Sequence, residues 1–273
     1  MRIHDLTPFY KKHILQDNDL AAYERAQPAL FAHYFTYWAD RTHWRVQLTE
    51  DACDERAGLI RSVLPKIEQQ LAQKGLSTDC EVILFVGNNT ANGHAFFEDG
   101  RCIVWLAVES YTTPLHAAVF GLHEIIHMLH YTMTPALAFT TKKEKQHFGR
   151  QLITEGLATY LTSTIGRYTD QQALWADYLS NEEARQWLTA CANARAELHR
   201  FALEHFLDDE HDQKFFLAND PKNIYAYRAG YLIGFEAIRD LQHTEDLNYA
   251  ELLAFPRDRF ERYMKTFLMK HII

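Results

Sequence analysis

No stretch of the 273 residues runs long enough without charge to span a bilayer, and the first twenty, MRIHDLTPFYKKHILQDNDL, hold no apolar core of signal-peptide length. Neither a membrane-spanning protein nor export by an ordinary signal is therefore expected. Cysteine pairs at C-x-x-C spacing are also missing: Cys53, Cys80, Cys102 and Cys191 stand far apart. That spacing argues against a thiolate zinc site and a dense disulfide framework, and it suits reduced thiols in a cytoplasm. Clusters of Lys and Arg are lacking as well. The 28 basic residues are scattered among 36 acidic ones, for a net charge of -8. Nucleic acid and anionic membranes both require concentrated positive charge, so neither is expected as a partner. The chain has no internal repeat and no low-complexity linker. What it does have is 47% hydrophobic residues, enough to bury a full core as one large domain or two lobes.

Helical periodicity dominates. Asp19 to Ala39 carries Tyr23, Leu30, Phe31, Tyr34, Phe35 and Trp38 near helical spacing, which reads as a core-facing aromatic stripe. Asp54 to Lys74 is a second helix ending at Gly75, with Pro65 inside it. The texture changes after Ser77. Glu81 to Val86 reads as a strand, and the GNNTANG that follows has loop chemistry. His94 to Phe97 and Arg101 to Val108 flank an Asp-Gly turn and form a hairpin, with His94 read as a solvated turn residue in preference to one that faces a site. Further helices are expected over Lys142 to Ile165, Gln172 to Leu179, Glu182 to Leu207 and Asn223 to Leu241. A last helical stretch, interrupted at Pro256, runs from Tyr249 to Ile273. The expected organisation is one domain, 1–273: helices over 1–76, a small sheet plus one buried helix over 77–131, and a helical lobe over 132–273. Its fold class is α+β, predominantly helical.

The buried helix, Leu115 to Tyr131, carries the chemistry. Pro114 stands near its first turn, where proline is tolerated. Its sequence contains His123-Glu124-Ile125-Ile126-His127. At about 100° per residue, His123 and His127 lie one turn apart on one face, where two imidazoles can grip one metal ion. Glu124 beside them is placed to take a proton from water at such an ion, as a general base. His116 and His130 lie a turn or two beyond the pair and read as supporting or packing residues. Glu155, in Thr154-Glu155-Gly156-Leu157-Ala158, is a carboxylate on a largely apolar helical segment and needs a partner. A helix returning antiparallel would bring it opposite the two histidines, and nitrogen and oxygen donors of this kind suit one zinc ion. In YRAGYLIGFEAI, Tyr227, Arg228 and Tyr231 form a late cluster of polar donors beside Gly230 and Gly234. Tyr231, and next to it Arg228, are the candidates for stabilising an oxyanion; core packing is the alternative reading of both tyrosines.

With His123, Glu124, His127 and Glu155 taken together, the chain resembles zincin metallopeptidases of the gluzincin type. More narrowly it is similar to a family of predicted bacterial zinc-dependent proteases long described as a domain of unknown function. The resemblance implies a zincin-like small antiparallel or mixed sheet packed on the motif helix, with an edge strand that holds an extended peptide. It also implies a helical lobe supplying the third ligand, and a donor from a later helix beside the zinc. The chain departs from the pattern at Thr159, where many gluzincins carry an acidic residue one turn after the ligand glutamate. The leading expectation is hydrolysis of peptide bonds. Hydrolysis of a non-peptide ester, amide or epoxide at the same zinc, and a catalytically silent binding or regulatory protein, stand beside it.

Overall fold

A computed structural model describes residues 1–210 and 214–272. The chain divides into two compact units, Met1–Thr132 and Met133–Ile273. The first carries a four-stranded mixed sheet, β1 (Arg2–Asp5), β2 (Glu81–Phe85), β3 (Gly93–Glu98) and β4 (Arg101–Ala107), in the order β1-β2-β4-β3. β1 pairs parallel with β2 and β2 with β4, whereas β3 runs antiparallel to β4 with Gly93 opposite Leu106. The central strands β2 and β4 are near-continuous apolar runs because both their faces are covered. The hairpin turns through Asp99 (φ 49°) and Gly100 (φ 75°), the two positive dihedrals that a tight primed turn requires.

Helices α1 (Thr7–Phe9), α2 (Leu20–Glu24), α3 (Pro28–Tyr37), α4 (Glu50–Gln73) and α5 (Pro114–Met133) complete the first unit, with a π-helical turn over Tyr10–Gln16. The aromatic stretch expected as one helix is two. Gln27 precedes a proline, which disfavours the helical region, and its φ of -153° opens the break. The stripe is nonetheless core: Tyr34 packs edge-on against Phe85 and Trp105, and Phe31 against Phe85. α4 starts on Thr49, whose side chain accepts the Ala52 N–H, and has Glu50 and Asp51 in its first turn. It ends at Gly75, with φ 69°. α5 packs on the sheet through β3 and on α4 through Gly121, where the space for a Cβ is bounded by Ile67 at 3.5 Å. β1, a four-residue edge strand too short for any periodicity to reveal, is an element that sequence reading omits.

The second unit is helical: α6 (Lys142–Gln146), α7 (Phe148–Gly166), α8 (Asp170–Trp175), α9 (Asn181–Asn193), α10 (Arg195–Glu204), α11 (Ala229–Glu245), α12 (Tyr249–Leu253) and α13 (Arg257–Lys270). Two helices expected as continuous are interrupted. His147 leaves the helical region (ψ 112°) and caps α7 by accepting the Arg150 N–H, and Ala194 separates α9 from α10. α11 begins six residues later than the Asn223 start expected from sequence. Arg228 adopts the left-handed conformation (φ 58°) at its N-cap, so Tyr227 and Arg228 precede the helix. The expected tail reaches Lys270, and Ile273 lies outside the described residues. Among the described residues no helix is long and apolar enough to cross a membrane.

Candidate metal centre

α5 is buried along nearly its whole length, so its polar groups are held away from bulk water. The four-residue spacing of His123 and His127 brings their Nε2 atoms to 3.1 Å, with the rings edge to face. Two nitrogens bound to one tetrahedral zinc at ~2.05 Å would stand roughly 3.3 Å apart. The pair therefore already has the separation that a shared cation needs, with the same ring nitrogen of each turned inward. On α7, Glu155 is half-buried on a helix whose neighbouring residues are almost all buried. One ligand atom from each of His123, His127 and Glu155 lies within 4.8 Å of the other two, and the group could hold a metal ion. Two imidazoles and one carboxylate match zinc's nitrogen and oxygen preferences, with a fourth position left for water or substrate.

None of the four cysteines belongs to this group. All are free, and burial pushes each thiol up to about 12, so they stay protonated near neutrality.

Glu124 is 5% exposed and lies against β3, its Cγ and Cδ occupying the space where Gly93 would carry a side chain. His94, expected as a solvated turn residue, is instead 7% exposed on β3. Its ring stacks on His33 at 5.7 Å and neighbours Trp38, Trp105, His127 and Tyr131. It pairs with Trp105 inside the hairpin ladder, and His33 of α3 covers its ring. His116 and His130 are buried: His116 Nδ1 meets the Thr112 hydroxyl at 3.0 Å, and His130 stacks on Tyr131.

Sequence reading also missed the frame behind β3. The Glu109 carboxylate accepts the Gly87 and Asn89 N–H groups at 2.9 and 3.0 Å, and the Tyr34 hydroxyl accepts the Asn88 N–H at 2.7 Å. Desolvation is the main reason that the Glu109 carboxyl is raised above its ordinary value. A single buried acidic residue between two short elements carries no sequence signal of such a clamp.

Arg228 lies over the Tyr231 ring at 4.1 Å and over Trp175 at 5.1 Å. Trp175 also packs against Tyr227 and Trp187. Of the two glycines near Tyr231, Gly234 is pressed against Gly156 of α7, while Gly230 is pressed against Phe215 and Phe216. Thr159 donates its hydroxyl to the Glu155 carbonyl at 2.8 Å, within its own helix. No family model, curated protein or solved structure matches the chain.

Proposed function

We propose that the chain is a zinc-dependent metallopeptidase in which His123, His127 and Glu155 hold the ion and Glu124 is the general base. The observation that carries the reading is the approach of two imidazole nitrogens and one carboxylate oxygen to within 4.8 Å, next to a buried glutamate that is not one of the three. Zinc bound there would supply Lewis acidity toward a carbonyl oxygen and would acidify a water. Glu124 takes the proton of the attacking water and returns it to the leaving nitrogen, the double duty expected of a general base that becomes a general acid. Tyr231 is the oxyanion donor of first choice. Arg228 is the second, or else an anchor for a substrate carboxylate.

A peptide substrate is favoured by the strand beside Glu124. β3 is an edge strand, and its register against β4, with the Ala107 N–H bonded to the Asn92 carbonyl at 2.8 Å, turns the main-chain groups of Gly93, Ala95 and Phe97 away from β4. Of these, Phe97 is 39% exposed and presents its main-chain groups to an extended peptide for strand addition, whereas Gly93 and Ala95 are buried. The scattered basic residues favour no nucleic-acid or membrane partner.

The test is incubation with a diverse peptide mixture, read by mass spectrometry with and without chelator. Chelator-sensitive cleavage, lost in Glu124→Gln, is expected. A chain that binds zinc and cleaves no peptide would overturn the peptidase assignment. Tyr231→Phe is expected to lower kcat about a hundredfold with little change in KM. An unchanged kcat would remove Tyr231 from the mechanism.

A further inference from the structure

The structure assigns to Gly93 a positioning role: strand β3 is the wall that fixes the Glu124 carboxylate, and it can do so only because residue 93 has no side chain. The inference rests on the reading of Glu124 as general base. A Cβ built on Gly93 falls 2.5 Å from Glu124 Cγ, 3.0 Å from Glu124 Cδ and 2.9 Å from the Trp105 carbonyl oxygen. Glu124 therefore lies flat on the strand, in the place that a side chain would take. The backbone does not demand glycine here. Among the described glycines positive φ occurs at Gly75 and Gly100, so Gly93 has an extended conformation open to any residue. Space is the requirement.

Neither backbone can withdraw. The Asn92 carbonyl accepts both the Ala107 N–H at 2.8 Å and the Tyr111 hydroxyl at 3.0 Å, which pins the strand at the residue before Gly93. The loop leading into it is held by the Glu109 carboxylate at Gly87 and Asn89. On the other side Glu124 belongs to a buried helix. A methyl group at position 93 must therefore displace the Glu124 side chain, and misplacing a reacting group by ~1 Å can cost about a hundredfold in rate.

The experiment compares wild type with Gly93→Ala by crystal structure, zinc content and kinetics on whichever peptide the mixture assay identifies. The expected result is a displaced Glu124 carboxylate, an unchanged His123–His127 spacing, one zinc per chain, and kcat lowered about a hundredfold at similar KM. In a Glu124→Gln background the same substitution should lower the residual activity no further, which a general structural defect would not reproduce. If Gly93→Ala does not accumulate as folded protein, Glu124→Ala in that background should recover at least half of the lost thermal stability. Equal destabilisation with and without the Glu124 side chain would place the clash at Trp105 and overturn the inference, as would an unmoved Glu124. Wild-type turnover in Glu124→Gln alone would instead sink the general-base reading and leave the structural comparison standing.

Discussion

Glu109 shows what a single buried carboxylate contributes. Both its oxygens accept backbone N–H groups, and the Arg56 guanidinium donates to its own carbonyl. Glu109→Gln keeps one acceptor and turns an amide NH2 toward the second N–H, so one buried donor loses its partner at a cost of about 1–3 kcal/mol. Urea unfolding should report that loss without change in zinc content, and a stability equal to wild type would show that water replaces the lost bond. His127→Ala, by contrast, should abolish zinc binding, since it removes one of the two nitrogens at 3.1 Å. The two residues differ in legibility for a physical reason. A histidine pair one helical turn apart is a local pattern that the helix converts into a shared face. Gly93 against Glu124, or Glu109 against Gly87, depends on strand register and loop path, which adjacent residues do not encode. The burial of His94 is illegible for the same reason: its neighbours in sequence resemble a turn, and its neighbours in space are rings from α3, β4 and α5.

Two glycines in helices make opposite predictions. In α7, a Cβ on Gly156 would stand 2.3–2.5 Å from the C, Cα and O of Gly234, and one on Gly234 would stand 2.3 Å from the Leu152 carbonyl. α7 and α11 thus meet backbone to backbone, and Gly156→Ala must push them apart, an overpacking expected to cost about 1–3 kcal/mol. In α4, Gly58 has nothing within 4 Å of the same construction. Gly58→Ala should therefore stabilise by about 0.5–1 kcal/mol, because alanine loses less conformational freedom on entering a helix. Thermal unfolding of the two variants side by side checks both signs, and a shift of the same sign in both would contradict the packing argument. Sequence periodicity located most of these helices but not their breaks at His147, Ala194 and Arg228. At those positions capping and a left-handed residue decide the boundary, and both are geometric outcomes that apolar spacing does not record.

Stability of the chain as a whole should respond to both metal and pH, and the two responses are separable. A metal ion held by His123, His127 and Glu155 would stabilise the folded chain by mass action, about 2.7 kcal/mol at a free concentration a hundred times its Kd. Chelation should lower the melting temperature of wild type and leave that of His127→Ala unmoved. The acid response comes from a different place. His199, on α10, is 1% exposed, and its ring packs against Phe267 and His271 of the chain's last helical segment. Desolvation pushes its pKa down to about 4, and the neighbouring charge of His271 pushes the same way, against a weaker bond with the Leu268 backbone. An unfolded histidine titrates near 6.5. Between those two values the unfolded chain takes up a proton that the native chain refuses, so stability is complete above about pH 6.5 and falls as the pH drops toward 4. The loss approaches about 3 kcal/mol at the lower end. Urea unfolding at pH 7 and pH 5, with chelator present so that zinc release does not contribute, should show this slope. His199→Phe keeps an aromatic ring in the same packing and removes the titrating group, so its slope should be shallower whatever its absolute stability. An acid slope identical to wild type in that variant would move the acid sensitivity to another histidine.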